Sequence, residues 1–440
     1  MPTEVDRRRP TLLERFPSLA SSDFRRIFVN GFFTTGSRWT EVLARGWLVH
    51  ELSDGSTGAV GWVTFASFIP FVVVGPFAGA IADRFDRRRL LIAGTIFGLC
   101  GALALAAITI ADVVEVWHVI ALAFATGAAQ AATVPTRQAL IANVVPPEHL
   151  LNAVALGGIS RHGSRVVGPL FGAALLGALG AGAVFVFSAA LLTGGLIEAI
   201  RIQYRSPERG SSGDAVPSLG QEVRGLGADL GRAVRYVGRD RRLLVVIGLV
   251  AAHCSLTMAF DSMMPTMAEK VGGGSNLYSS ILIGLGAGAI VGTLVVSQLN
   301  AERVRGAAFA VVGVGSGLAM VVMGTATTGA VVVLSAVLAG LTQAAYMTMS
   351  ATLVQTIVID EFRGRVSSFY IMIAAGHMAI LNLGFGRTAE AVDVRVLLVG
   401  PGLLWIAVFG GGYVALAGLR SLIHRGRFES MEPALAAAAV

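Results

Sequence analysis

Apolar runs of about 20 residues follow one another through nearly the whole chain, and that is the length a helix needs to cross the hydrocarbon core of a bilayer. Twelve candidate spans are placed at 24–49, 57–82, 89–111, 116–143, 149–176, 178–200, 243–268, 276–298, 306–326, 330–358, 363–388 and 394–420. With 54% hydrophobic and 14% charged residues and a mean hydropathy of +0.72, the chain lacks the polar surface a soluble domain of 440 residues needs. Its 55 glycines suit helices that pack closely in a membrane. The expected fold class is an all-α polytopic membrane protein.

Arginine placement orients the spans. One set of span ends carries Arg7, Arg8, Arg9, Arg15, Arg25 and Arg26, then Arg84, Arg87, Arg88 and Arg89, the 201–242 segment, Arg303, Arg305, Arg363 and Arg365. The opposite ends carry mostly acids, among them Glu51, Asp54, Asp112, Glu115, Glu269, Glu390 and Asp393. Both termini are therefore expected in the cytoplasm. The first 26 residues are polar, with no apolar core of a cleaved signal, so the first span is expected to serve as its own anchor. A net charge of +7 could suggest nucleic acid, but the arginines sit at span ends, and no nucleic acid is expected. Cys100 and Cys254 both fall in apolar runs and read as packing residues.

The chain divides into an N-terminal segment (1–23), six spans (24–200), a linker (201–242), six more spans (243–420) and a tail (421–440). In the linker, Ser218 and Gln221 fit a capping box, and Leu219, Val223, Leu226, Leu230, Val234 and Val237 recur at helical spacing between arginines. An amphipathic helix at the cytoplasmic membrane face is expected there. An internal repeat supports the division. At an offset of 213 residues, Gly75 and Gly79 map onto Gly288 and Gly292, and VVPPEHLLNAV from 144 maps onto IVIDEFRGRV from 357.

Several spans carry polar groups. In the first, Asn30, Thr34, Ser37, Arg38, Glu41 and Arg45 fall within an arc of about 100° of a helix. A charge at the bilayer centre costs about 2.5–3.5 kcal/mol on insertion scales, so this stripe is expected to face protein or a wet cavity. It reads either as a buried ion network or as a cavity wall. In the fifth span Arg161 and Arg165 are one turn apart, Gly168 and Gly172 offer close approach, and Pro169 loosens the helix. The seventh has His253, Thr257 and Asp261 on one face; Asp261 is either a proton carrier or a hydrogen-bonded polar group. Gln130, Gln343 and Tyr346 are candidate cavity hydrogen-bonders, and His377 reads as a packing histidine. In GAIADRFDRRRLL, Gly79 to Leu91, an acid precedes a basic run, which reads as positive-inside topology or as a charged latch.

These residues resemble the major facilitator superfamily over essentially the whole length. Its loop motif G-x-L-A-D-R-x-G-R-R-x-x-L is matched by Gly79, Ala82, Asp83, Arg84, Arg87, Arg88 and Leu91, with Ile81 for the leucine and Asp86 for the second glycine. Its antiporter motif G-P-x-x-G-G is matched by Gly168, Pro169 and Gly172, with Ala173 last. RGWLVHEL, ADRFDRRR, VPPEHLLNAVAL and DEFRGRVSS resemble the branch containing siderophore (enterobactin-type) and macrolide exporters. The resemblance implies two six-helix bundles with pseudo-two-fold symmetry. It also implies a central cavity lined by spans one, four, seven and ten, and gating at the Gly79–Arg88 and Arg161–Gly172 stretches.

The expected function is a secondary active, proton-coupled exporter, with Glu41 and Asp261 as protonatable groups. Arginines outnumber intramembrane acids, which points to an anionic organic substrate such as a siderophore or drug. A proton-coupled importer of the same fold and a non-transporting receptor or scaffold are the alternatives. No phosphate loop is possible around the sole lysine, Lys270, and no HExxH, CxxC or nucleophile elbow occurs, so neither an ATP-driven pump nor an enzyme is expected, nor any cofactor. A monomer in a bacterial inner membrane, surrounded by lipid, is expected.

Overall fold

The computed structural model describes residues 16–77, 85–205, 219–299 and 301–425. All regular structure among them is helical. We number the α-helices α1 (Ser22–Leu52), α2 (Thr57–Val73), α3 (Arg87–Ile110), α4 (Val116–Val144), α5 (Leu150–Arg201), α6 (Leu219–Arg239), α7 (Arg241–His253) and α8 (Met264–Lys270). Then follow α9 (Gly274–Ser297), α10 (Glu302–Thr325), α11 (Gly329–Ile357), α12 (Asp360–Thr388), α13 (Val394–Ala415) and α14 (Ala417–Arg425). Ten described stretches are long and apolar enough to cross a membrane. The charges of α1 keep it out of that set by composition, although it is 31 residues long.

Helix ends follow local chemistry. Ser21 caps α1 through its hydroxyl, which accepts from Phe24 N at 3.2 Å. Asp23 in the first turn accepts from the amides of Gln203 and Tyr204 at 2.9 and 2.8 Å, tying the start of α1 to the end of α5. Asp86, standing where the family motif has glycine, has φ −55° and caps α3 by accepting from Arg88 N. Asp240 caps α7 and accepts from the Arg242 side chain at 3.1 and 2.8 Å. Burial alone would raise the Asp240 carboxyl, but the hydrogen bonds and charge of Arg242 outweigh it and hold the group below the usual aspartate range.

The fifth and sixth expected spans form one 52-residue segment, α5. Straight, it would be about 78 Å long, more than twice the hydrocarbon thickness. It turns back at Gly180, whose φ of 79° and ψ of 179° suit only glycine. Phe171 and Phe187 consequently meet with ring centroids 5.9 Å apart. The expected division at 176–178 thus falls at 180.

The repeat is visible in the architecture. Shifted by 213, α4 falls on 329–357, the bounds of α11. The two halves meet where α2 runs along α12 and α5 along α9, and the same shift carries α2 onto α9 and the start of α5 onto α12. Gly288 and Gly292 let α9 lie against the Val337 and Leu341 backbone of α11. The main apolar cores follow these contacts, while Val311, Leu334, Val396 and Val414 remain exposed, as surfaces that face lipid should. The linker helix α6 exists, and Tyr236 near its end stacks on Phe362 of α12 with centroids 4.5 Å apart.

Candidate functional site

A cavity of about 510 Å³ lies between the halves. It runs from Phe24 and Phe28, at the arginine-rich end of α1, inward to Glu41 and Asp261. From α1, Thr34, Ser37, Arg38, Trp39 and Glu41 line it; α4 adds Thr126, Gln130 and Arg137; α5 adds Arg161 and Arg165. Phe68 and Phe71 of α2, Thr95 of α3, Gln343 of α11 and Phe260 also face it.

Its charges are unequally satisfied. Glu41 is buried and fully engaged: Arg45 donates to Oε2 at 2.5 Å, and Ser188 and Ser37 donate to Oε1 at 2.7 and 3.5 Å. Arg45 also donates to Thr126 at 3.2 Å. By contrast, none of Arg38, Arg161 and Arg165 has a described carboxylate within 4.0 Å. Arg38 lies 5.7 and 5.3 Å from the ring centres of Phe68 and Phe71, and Arg165 lies 4.4 Å from that of Trp39. Such cation–π contacts hold a guanidinium in place without neutralising it. Arg137 donates to Thr34 Oγ1 at 2.8 Å and keeps its Nε buried without a partner. Asp261 is the remaining acid, with no described cation in salt-bridge contact, though the charges of Arg165 and Arg38 act on it.

Asp261 stands at a break in the seventh span. α7 ends at His253, a π-helical turn covers Cys254–Met258, and Asp261–Met263 is 3-10. Then Pro265 opens α8. Broken helices at membrane depth persist where neighbours satisfy the freed backbone. Here Gln343 donates to the Thr257 carbonyl at 2.6 Å. Asn382 accepts from Ser262 N at 3.0 Å, and the Ser262 hydroxyl donates to the Asn382 carbonyl at 2.9 Å.

At the end opposite the cavity mouth, the halves are in contact. Trp47 stacks on Tyr278 with centroids 6.1 Å apart, and His50 Nε2 lies 2.9 Å from Glu269 Oε2. Ser56 donates to Glu390 at 2.9 Å, and the hydroxyls of Thr57 and Thr266 share a hydrogen bond of 2.8 Å. Within the second half, Lys270 pairs with Asp393 at the same end, and that hydrogen bond holds the Asp393 carboxyl below its ordinary value.

Several expected positions need correction. Asn30 does not line the cavity: its amide donates to the Gly195 carbonyl at 2.8 Å, so α5 covers it. Arg45 points into the Glu41 network rather than the open space. His253, Thr257 and Tyr346 lie behind the wall. His253 stacks on Tyr346 with centroids 4.1 Å apart, meets Trp405 edge-on and pairs with Ser316 at 3.1 Å. The π-turn removes the single helical face on which His253 and Asp261 were expected to align. Thr257 donates to the His253 carbonyl within its own helix. Gly168 and Gly172 pack α5 on α1; a Cβ at 168 would sit 2.5 Å from the Gly36 carbonyl oxygen. Pro169 is buried in that seam. Arg88 donates to the Ile200 carbonyl at 2.6 Å, and Arg87 begins α3 beside it. Gly79, Asp83 and Arg84 lie outside the described residues. His377 bonds its own helix at Ile373 O. Arg137 was missed, although it stands seven residues after Gln130 on one face of the fourth span.

A polytopic helical protein with an internal cavity between two repeated halves is a membrane transporter in architecture, and comparison with known proteins agrees. The family model described as transmembrane secretion effector, MFS_3, matches residues 14–437, and the chain belongs to that family of the major facilitator superfamily, a family of transporters rather than enzymes. Macrolide efflux protein A of Streptococcus pyogenes is 21% identical over 365 residues, covering 80% of this chain and 87% of that one. The uncharacterized MFS-type transporter YfiS of Bacillus subtilis is 28% identical over 121 residues, 28% of either chain. Among solved structures, a POT family transporter in complex with 5-aminolevulinic acid superposes with a TM-score of 0.69 at 12% identity, covering 88% of this chain and 94% of that one. The human organic anion transporter MFSD10 (TETRAN) superposes at 0.63 with 13% identity, covering 87% and 97%. These likenesses establish the fold.

Proposed function

We propose that the chain is a proton-coupled exporter of a small organic anion, working by alternating access as a monomer in a bacterial inner membrane with both termini in the cytoplasm. The observation that carries this reading is the set of cavity guanidiniums without a described carboxylate partner, Arg38, Arg161 and Arg165. Arginine binds a carboxylate, sulfonate or catecholate through two parallel hydrogen bonds. The relatives named for macrolide efflux support the outward direction. The arginine bias of the cavity mouth supports a cytoplasmic opening.

Asp261 is the proposed proton carrier, because Glu41 is already committed to Arg45. In the empty form, an ionised Asp261 is attracted by Arg165 and Arg38 across the cavity. That attraction steadies the broken segment, whose continuation, α8, carries Thr266 and Glu269 of the closed end. An anion seated on the arginines removes the attraction, and so does a proton on Asp261. Either one alone releases the closed end, which is what an exchanger requires. One observation favours a second reading, import by anion–proton symport. Asp261 shares the field of the same arginines, so a proton there also makes room for the anion, and the two could travel together.

The test uses benzenesulfonate, which stays ionised at every relevant pH. In everted vesicles with an acid interior, export predicts accumulation that a protonophore abolishes. Asp261→Asn should lose gradient-driven accumulation while keeping exchange across equal concentrations. Accumulation confined to right-side-out vesicles would replace export by import.

A further inference from the structure

The cavity arginines are arranged in two tiers. On α1, Thr34 and Arg38 are one turn apart, about 6 Å along the axis. On α5, Arg161 and Arg165 are separated by the same interval, and both helices run away from the arginine-rich end. Arg137, from α4, is fixed at the shallow level by its hydrogen bond to Thr34. Arg137 and Ser160, the neighbour of Arg161, both come within 3.8 Å of a Cβ placed at Gly31, whereas Arg165 lies 4.4 Å from the ring centre of Trp39, the neighbour of Arg38. The shallow tier is therefore Arg137 with Arg161, and the deep tier is Arg38 with Arg165.

Charge counting points the same way. Glu41 and Arg45 cancel at 2.5 Å. Among the described lining residues, four guanidiniums then face a single remaining carboxylate, Asp261. One monovalent anion would leave three cations against one acid in a space of about 510 Å³. Around the deep tier the walls are aromatic: Trp39 faces Arg165, and Phe68 and Phe71 face Arg38. These rings favour a flat, unsaturated spacer over a flexible chain.

We infer that the substrate is a dianion, with two acidic groups at opposite ends of a planar aromatic body, one held by Arg38 and Arg165 and the other by Arg137 and Arg161. The inference rests on the organic-anion reading of the same cavity and specifies it further. Its test measures binding rather than flux, so it can fail while export stands. Purified full-length protein in detergent is titrated, at fixed ionic strength, with benzenesulfonate and with benzene-1,4-disulfonate, and affinity is read from ligand-induced thermal shifts. A second charge-assisted site predicts at least about tenfold tighter binding of the disulfonate. Arg161→Ala should weaken benzene-1,4-disulfonate far more than benzenesulfonate and so bring the two affinities close together. Arg38→Ala should weaken both. Arg161→Lys keeps the charge but not the fork and should restore part of the difference, which separates a lost contact from a damaged fold. Equal affinities in the unmodified protein, a difference that survives Arg161→Ala, or no shift with either sulfonate would overturn the inference.

Discussion

At the scale of single residues, two acids that look alike in the sequence do different work. Glu41 is enclosed by Arg45, Ser188 and Ser37, and Asp261 faces the cavity without a direct partner. Neutralising Glu41 strands Arg45 in a buried site. Glu41→Gln should therefore destabilise by about 3–5 kcal/mol, read as lost thermal stability in detergent, and Glu41→Gln with Arg45→Met should recover part of it. The polar arc of the first span was legible in the sequence because ions avoid lipid. Which neighbour covers each part of the arc was not legible. Periodicity gives a direction around one helix, whereas the partner comes from another: Gly195 takes Asn30, and the open space takes Arg38. Arg137 escaped notice because a single arginine near the end of a span is also what topology alone would place there.

At the scale of elements, helix existence was readable from apolar length, and most ends fell within a few residues of expectation. The seventh span is the exception. Its mean hydropathy stays high across the break despite His253 and Asp261, so hydropathy does not mark a π-turn followed by a 3-10 turn. The break depends on Gln343 and Asn382, which lie 86 and 120 residues away and satisfy the freed backbone. The start of the same span is held by Asp240. Replacing it with alanine removes a helix cap, and at neutral pH should cost about 1 kcal/mol. The sign of its pH dependence follows from the depressed carboxyl. The charged-state contribution is fully present above the ordinary aspartate value of about 3.9 and is lost as pH falls through the lower folded value. Thermal stability of Asp240→Ala and of the unmodified protein should therefore converge in acid.

At the scale of the molecule, one end is open and the other shut. The shut end joins the halves through side chains such as Thr57 and Thr266, whose hydroxyls are 2.8 Å apart. In a Cys100→Ala background, Thr57→Cys with Thr266→Cys should form a disulfide on mild oxidation. Flux should fall to background while sulfonate binding persists, and a reductant should restore transport. Transport unaffected by complete cross-linking would exclude alternation at this end. The repeat made the two-half design legible in advance, but the resting direction was invisible, because it depends on contacts between halves rather than on either half. On the shut side no connection between helices exceeds five residues, and the turn at Gly180 has no connecting loop. The described linker helix α6 lies on the other side. Among the described residues no flap is draped over the sealed pole. To unseal it, whole rods must tilt against one another, and their tips simply part, like fingers uncurling from a grip.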